Sequence, residues 1–194
     1  LTGAIDDVGA PIRATSGKSF RLGLEIDADI KLNNQFSIKS NAAFSTNKNE
    51  DFTAPIDGDL INLGNTPLSF SPNVIAGNMI VYQPNNLQIS FLSKYVGEQF
   101  MSNLNSSVSK LDVLDSYFTS DLNFVYEIAT KKVFDAIIIS GLINNIFNTE
   151  YVDRGYYYTY DDTWSNPGSV STLDGAGYYP QATRNFLVGV TLKF

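Results

Sequence analysis

The chain has 194 residues, with 13 Lys and Arg against 20 Asp and Glu, giving a formal net charge of −7. This charge excludes a nucleic-acid partner, because such binding depends on basic side chains that neutralise phosphates. His and Cys are both absent, which excludes disulfides, thiolate or imidazole metal sites and catalysis by a His base, and we predict no enzymatic activity.

Residues 1–18 form a loop punctuated by Gly and Pro, which we place outside the cell. The stretch Ser19–Leu32 then alternates without a fault. One parity is wholly apolar and consists of Phe20, Leu22, Leu24, Ile26, Ala28, Ile30 and Leu32. The other carries Arg21, Gly23, Glu25, Asp27, Asp29 and Lys31. This stretch exceeds the ~9–11 residues that a tilted strand needs to cross a bilayer, so we predict a transmembrane strand.

A tight turn at residues 33–35 leads into a returning strand over Phe36–Phe44. If Leu32 lies opposite Phe36, then Ile30 meets Ile38 on the apolar face. The same register brings Asp29 opposite Lys39 on the charged face. Apolar side chains then pair with apolar ones and a cation with an anion, so the sequence predicts a β-hairpin in this register.

Four further strands are predicted before the end of the chain. They cover about Asn73–Pro84, Leu87–Gly97, residues 118–128 and Phe134–Asn145. In the strands Asn73–Pro84 and Phe134–Asn145, apolar residues occur at both odd and even positions, so the sequence leaves open which side chains point outward. In the strand over 118–128, Phe118, Leu122, Phe124, Tyr126 and Ile128 point outward by parity, and the intervening polar side chains point inward.

Long polar loops alternate with short turns along the chain. The loops cover residues 47–72, Glu98–Ser116 and about Phe147–Ala182, and the start of the last one could extend the sixth strand above the membrane. In outer-membrane barrels the long loops are extracellular and the short turns periplasmic. The C-terminus is therefore expected on the periplasmic side.

The last strand alternates to the final residue. One face holds Phe186, Val188, Val190, Leu192 and Phe194, and the other is mostly polar. About seven spanning strands cannot close an up-and-down barrel alone, and an open edge in lipid leaves backbone groups unsatisfied. We therefore expect this chain to be a fragment, with earlier strands upstream or supplied by another chain.

Two motifs near the end resemble the C-terminal end of a TonB-dependent outer-membrane receptor. They are Ile143-Asn144-Asn145-Ile146-Phe147-Asn148-Thr149-Glu150-Tyr151 and Gly177-Tyr178-Tyr179-Pro180-Gln181-Ala182-Thr183-Arg184-Asn185-Phe186. Gly189, Leu192 and Phe194 resemble the signal read by the barrel-assembly machinery, although Leu187 stands where that signal has a polar residue. The opening residues 3–11 and the Tyr-rich last loop are similar to SusC-like receptors.

The resemblance implies an all-β, antiparallel transmembrane barrel in the bacterial outer membrane, of which residues 1–194 would be about the last seven of twenty-two strands. It implies a plug domain and a TonB-binding segment, both absent from this chain, and a surface SusD-like lipoprotein as partner. The implied activity is TonB-dependent import of a glycan or peptide. A porin-like or structural barrel without TonB coupling, and a soluble β-rich binding module, remain the alternatives.

Aromatic residues of the last loop are the candidate contacts to a substrate or partner. They are Tyr156, Tyr157, Tyr158, Tyr160 and Trp164. Their flat amphipathic rings suit stacking on sugars or packing on a peptide, and they equally suit an interfacial girdle or contacts to neighbouring loops. Both interpretations stay open at this stage.

Two acidic clusters carry oxygen ligands of the kind that Ca²⁺ prefers. They are Asp57-Gly58-Asp59 and Asp161-Asp162. Neither has the remainder of a coordination pattern, so solvated loop is the favoured interpretation. No metal ligand and no cofactor is assigned from the sequence.

Overall fold

The computed structural model describes residues 17–104, 109–130, 133 and 135–194. Most of the predicted opening loop, including the stretch that is similar to SusC-like receptors, lies outside these residues. The described part of the chain holds no helix that is long and apolar enough to cross a membrane.

The described residues form fourteen strands, numbered here in chain order. They are β1 (Lys18–Lys31), β2 (Phe36–Glu50), β3 (Thr53–Ile56), β4 (Asp59–Asn62), β5 (Thr66–Pro67), β6 (Val74–Tyr82), β7 (Leu87–Val96), β8 (Gln99–Phe100), β9 (Val113–Leu114), β10 (Tyr117–Ala129), β11 (Ala136–Asn144), β12 (Val152–Asp162), β13 (Ser171–Pro180) and β14 (Asn185–Lys193).

Seven long strands make one antiparallel sheet in the order β1-β2-β6-β7-β10-β11-β14, with the short β5 added to β2. The seven predicted spanning strands are therefore all present, and their order follows the chain. Each connection at one end of the sheet is short. At the other end the three long connections carry the remaining strands.

The register of the first hairpin is the predicted one. Ile30 lies opposite Ile38 and Asp29 opposite Lys39. The Lys39 ammonium and the Asp29 carboxylate are 3.4 Å apart, with both side chains more than half exposed. Since exposed ion pairs contribute little, the match of apolar side chains along the two strands is the stronger determinant of register.

Register also fixes the two strand facings that the sequence left open. Ile80 lies opposite Ile38 and Phe91, and Tyr82 opposite Phe36 and Ile89, so both belong to the apolar face. In β11 that face holds Ile137, Ile139, Gly141 and Ile143, which lie opposite the apolar parity of β14. The apolar face is thus continuous from β1 to β14.

Polar side chains on the apolar face satisfy each other. The Ser40 hydroxyl bonds the Asn78 amide oxygen at 2.7 Å, and the hydroxyls of Ser93 and Ser120 lie 3.0 Å apart. Both pairs join neighbouring strands. An unpaired hydroxyl facing an apolar medium is costly, so this pairing lets polar residues occupy an otherwise apolar face.

The charged face is concave. A cavity of about 970 Å³ lies against it, lined among others by Asp27, Asp29, Lys39, Lys94 and Asp121. At the end of the sheet with the short turns, the Lys193 ammonium and the Glu127 carboxylate lie 3.3 Å apart on the same face. The inward position predicted for the acidic and basic residues of the first hairpin agrees with this arrangement.

The long connections are more structured than their composition predicted. Strand β2 continues to Glu50, and β3–β4, β8–β9 and β12–β13 are separate two-stranded sheets inside the three connections. The last connection does not extend the sixth strand, because β11 ends at Asn144 and β12 pairs with β13 alone.

The best-buried side chains lie mainly in these connections and at their junctions with the sheet. They include Asn47, Asn49, Ala54, Thr66, Val96, Gln99, Met101, Asp112, Leu114, Asn145 and Asp162. The apolar residues on the strands of the large sheet are mostly exposed or half-buried. The packed core is therefore formed by loops at one end of the sheet.

Candidate functional site

Strands β12 and β13 form a hairpin whose two faces differ. Tyr156 lies opposite Gly177, Tyr158 opposite Gly175 and Tyr160 opposite Leu173. The three tyrosines are spaced by two residues, so they share one face, and Tyr157 lies on the other. The sequence candidates are thus divided between two faces.

Five aromatic rings form a continuous row on the exposed face, in the order Tyr179, Tyr156, Tyr158, Tyr160 and Trp164. Their neighbouring ring centroids are separated by 6.1, 6.3, 6.4 and 6.3 Å. From Tyr156 to Trp164 adjacent ring planes are parallel to within 8–22°. We call these five residues the aromatic row.

The aromatic row is open to its surroundings. The exposed fractions run from 44% for Tyr160 to 68% for Trp164. Sequence reasoning named four of the five, and missed Tyr179. The place of Tyr179 in the row depends on the pairing of β13 with β12. The one sequence signal for that pairing is Gly175-Ala176-Gly177, whose two glycines leave room for large side chains on a neighbouring strand.

Glycines opposite the tyrosines make room for the rings. A Cβ at Gly177 would collide with the ring of Tyr156, and a Cβ at Gly175 would lie 2.6 Å from the Cζ atom of Tyr158. Each tyrosine therefore lies across the neighbouring strand. This covers the glycine and fixes the direction of the ring.

The opposite face of the hairpin packs on the connection between β7 and β10. A Cβ at Gly155 would lie 2.6 Å from the sulfur of Met101, and the Tyr178 hydroxyl donates to the Leu111 carbonyl at 2.8 Å. Tyr157 lies on this face, where its hydroxyl donates to Asp174 at 3.2 Å. Burial there raises the pKa of Tyr157 to about 12.

The tip of the hairpin bonds the first long connection. The Asp57 amide donates to the Thr172 hydroxyl oxygen, and the Thr172 amide donates to the Asp57 carboxylate, both at 2.7 Å. The Thr172 hydroxyl donates in turn to Asp161, also at 2.7 Å. The two sequence clusters considered for Ca²⁺ therefore meet through Thr172. Among the described residues no group of three or more acidic side chains could hold a metal ion.

A buried carboxylate organises the middle connection. Asp112 is 1% exposed and accepts hydrogen bonds from the Ser102 amide and hydroxyl, both at 2.7 Å. Burial raises the pKa of Asp112, and the hydrogen bonds from Ser102 oppose that rise. This connection is continuous with the hairpin, because Gln99 donates to the Asp153 carbonyl at 3.2 Å.

The first C-terminal motif is a structural junction. Asn145 is 4% exposed, its amide nitrogen donates to the Thr149 carbonyl at 2.8 Å, and its amide oxygen accepts from the Thr149 backbone at 2.9 Å. Asn145 and Asn148 have φ angles of 50° and 56°, a conformation that Asn tolerates better than most residues. Asn148 accepts from the Arg184 backbone at 3.0 Å, which joins the two motifs.

Charged groups at both ends of the aromatic row are already partnered. At one end, the Arg154 guanidinium lies 3.2 Å from the Asp153 carboxylate. At the other, the Asp162 carboxylate accepts from the backbones of Trp164 and Ser165 at 3.0 Å. Hydrogen bonds from Ser165 lower the pKa of Asp162, with a smaller contribution from Trp164.

The residues that resemble the assembly signal lie on and just after β14. Gly189 pairs with Ser140 and Leu192 with Ile137, while Phe194 follows the strand and is 84% exposed. Leu187 pairs with Leu142 on the face opposite to Phe186. This pairing gives the departure from the motif an apolar cross-strand neighbour.

No protein-family model and no curated protein matches the sequence. Solved structures do resemble it. The siderophore receptor PiuA from Acinetobacter baumannii aligns over 90% of this chain with a TM-score of 0.57 and 13% identity. The ferric yersiniabactin uptake receptor FyuA from Yersinia pestis aligns over 90% with a TM-score of 0.58 and 20% identity.

The chain spans 22% of the length of PiuA and 23% of the length of FyuA. At these identities the likeness establishes the fold. The described part of this chain is all-β and antiparallel, and the barrels of those receptors are of the TonB-dependent type. This chain therefore has the fold of a segment of a TonB-receptor barrel.

Proposed function

We propose that this chain is the C-terminal wall of a TonB-dependent outer-membrane importer of the SusC-like type, which takes up a glycan or a peptide. The observation that carries the proposal is the seven-stranded sheet whose three long connections pack into one body at a single end. Folded loops at one end of the sheet suit capture of a ligand at the extracellular opening of a barrel.

The edges of the sheet support incorporation in a larger barrel. In the described part of the chain β1 and β14 each pair on one side only. Unpaired backbone groups in lipid cost several kcal/mol each, so these edges require further strands. The remaining strands and a plug would come from the rest of the receptor, with TonB acting on the plug.

The concave charged face suits contact with a plug. Asp27, Asp29 and Lys94 line the cavity, so a partner there would meet charges of both signs. We further propose a SusD-like lipoprotein at the loops and recognition of the β14 end by the barrel-assembly machinery. We place the C-terminus on the periplasmic side, because it lies at the end of the sheet with the short turns.

Uptake by whole cells tests the proposal. A strain that lacks the gene for the receptor and the same strain complemented with that gene would be compared. Both would receive fluorescently labelled malto- and xylo-oligosaccharides, labelled tryptic peptides of casein and a ferric siderophore. We expect one glycan or the peptides to enter only the complemented cells, and entry to stop when an uncoupler abolishes the proton gradient or tonB is deleted.

The outcomes separate the parts of the proposal. Uptake that persists with the uncoupler would favour the porin-like alternative. Entry of the ferric siderophore alone would refute the SusC-like substrate class and leave TonB coupling intact. Equal uptake by both strains for every compound would contradict an import function for these substrates.

A further inference from the structure

We propose that the aromatic row binds a linear, uncharged oligosaccharide that lies along the β12–β13 hairpin. This inference deepens the proposed import function, because it names the substrate class and the surface that first holds it. The row lies on the exposed face of the hairpin, and none of its residues lines the cavity against the charged face.

The spacing of the rings indicates a ligand with a repeating structure. Five rings follow one another at 6.1–6.4 Å, which is close to the two-residue rise of a β-strand. A compact metal chelate would cover one or two neighbouring rings and leave the others unused. A linear polymer of flat units can contact all five.

The shape of the row favours sugars over a peptide. An extended peptide is recognised by backbone hydrogen bonds at a strand edge and by pockets for alternate side chains. The row instead presents ring surfaces on the face of the hairpin, and the two described cavities are lined by none of its residues. Ring faces flanked by phenolic hydroxyls match the apolar faces and rim hydroxyls of pyranoses.

Charge around the row favours an uncharged ligand. Arg154 at one end is paired with Asp153, and Asp162 at the other end already accepts two backbone hydrogen bonds. A charged ligand would have to compete with these partners. A neutral sugar chain needs no counter-charge and loses less solvation on stacking.

The row is organised before a ligand arrives. Glycines opposite Tyr156 and Tyr158 let the rings lie across the hairpin, and the back of the hairpin is fixed to Leu111 and Asp57 by hydrogen bonds. Rings held in this way lose little side-chain entropy on binding. The gain from each stacking contact is therefore retained.

The direction of the row argues against an interfacial girdle. A girdle places aromatic residues at one level, on neighbouring strands around a barrel. Here Tyr156, Tyr158 and Tyr160 follow one another along a single strand of a separate two-stranded sheet. That strand, β12, belongs to the last long connection and not to the seven-stranded sheet.

Calorimetry on the complete receptor in detergent tests the inference. The probes are linear hexaoses of glucose, xylose and mannose in different linkages, together with the di- and tetrasaccharide of whichever hexaose binds. We expect one hexaose to bind, and affinity to rise with length. The double variant Tyr158→Ala/Tyr160→Ala should weaken binding at least tenfold, and Tyr158→Phe should retain most of it.

Tyr126→Ala is the matched control, because Tyr126 is similarly exposed but lies on the apolar face of the wall. If the double variant fails to fold, judged by loss of heat-modifiable migration on a gel, Trp164→Leu at the loop end of the row replaces it. The inference would be overturned if the folded double variant, or folded Trp164→Leu in its place, bound the hexaose as tightly as the parent protein. It would also be overturned if no hexaose bound.

The result is distinguishable from failure of the import function. Loss of TonB-dependent uptake of every compound with intact hexaose binding would refute the proposed function and leave the row as a glycan site. Uptake that requires TonB but is unaffected by the row variants would refute the row as a substrate site. A change in detergent extraction without a change in binding would identify the rings as a girdle.

Discussion

Asp57 and Thr172 exchange two hydrogen bonds across 115 residues of sequence. Each amide donates to the other side chain at 2.7 Å, and the Thr172 hydroxyl also donates to Asp161. This small network joins the tip of β3–β4 to the tip of β12–β13. It makes the first and last long connections parts of one loop body.

Thr172→Val removes the hydroxyl while keeping the shape of the side chain. The Asp57 amide loses its acceptor and Asp161 loses its donor, so the two hairpin tips should separate more often. We expect amide exchange in residues 53–62 and 171–173 to speed up several-fold, measured by hydrogen exchange and mass spectrometry.

Thr159→Val on β12 is the control, because Thr159 makes no side-chain hydrogen bond with any described residue. It should leave exchange in both tips unchanged. Equal effects of the two variants, or slow exchange in both tips after Thr172→Val, would show that the network does not hold the connections together.

The large sheet was predictable because the alternation of apolar and polar residues predicts the strands and also restricts the register in which they pair. A slip by one residue between β1 and β2 would place Lys39 among the apolar side chains of β1, so alternation together with the short turn selects one register. The loop body was not predictable in the same way. Asp112 and Thr66 are polar by composition, and their burial depends on partners distant in sequence or on backbone geometry.

The candidate site shows the same division. Strict alternation of faces was enough to separate Tyr157 from Tyr156 and Tyr158, once β12 is known to be a strand. No neighbouring stretch of sequence offers β12 an apolar partner strand, so composition alone predicts a loop there. Tyr179 could be placed only through the register of β13 with β12.

Gly141 and Phe124 are a coupled pair on the apolar face. The Phe124 ring occupies the space that a Cβ at Gly141 would need. Gly141→Ala should therefore displace the ring and destabilise the folded sheet by about 1–3 kcal/mol. Urea unfolding in lipid vesicles, followed by tryptophan fluorescence, measures the change.

Phe124→Leu supplies the test of the mechanism. With a smaller side chain at 124 the added methyl group has room, so the double variant should be more stable than the sum of the single effects by about 0.5–3 kcal/mol. Additive effects would mean that the glycine is needed for another reason.

Asp112 gives the middle connection a pH dependence. Burial raises its pKa above the ordinary 3.8, so the folded loop favours the protonated form. Between 3.8 and the raised value the folded state binds more protons than the unfolded one, and stability falls as pH rises through this window. Exchange in residues 97–104 and 109–116, corrected for intrinsic rates, should be slowest at the acidic end.

Asp112→Asn removes the titrating group and keeps an oxygen that accepts from Ser102. We expect exchange in the variant to lose its dependence on pH across the same window. Asp115→Asn is the control, since Asp115 is an exposed carboxylate of the same connection. A pH dependence that survives in Asp112→Asn would assign it to another group.

Asn145 should be the most sensitive residue of the C-terminal motifs. Its side chain bonds Thr149 twice and reaches the Ala182 carbonyl at 3.4 Å, while its backbone donates to Asp121 at 2.7 Å. Asn145→Ala would leave buried polar groups unpaired and place Ala at positive φ. A loss of about 2 kcal/mol or more is expected from the unpaired groups alone.

Asn144→Ala provides the comparison. Asn144 is adjacent in sequence but bonds Asn185 in an exposed position, so its loss should cost less than about 1 kcal/mol. Heat-modifiable migration and urea unfolding of both variants measure the difference. Because Asn145 links the end of β11 to the segment before β14, its variant should also slow the pairing of β14 with β11. Equal behaviour of the two variants would contradict the role of Asn145 as a junction.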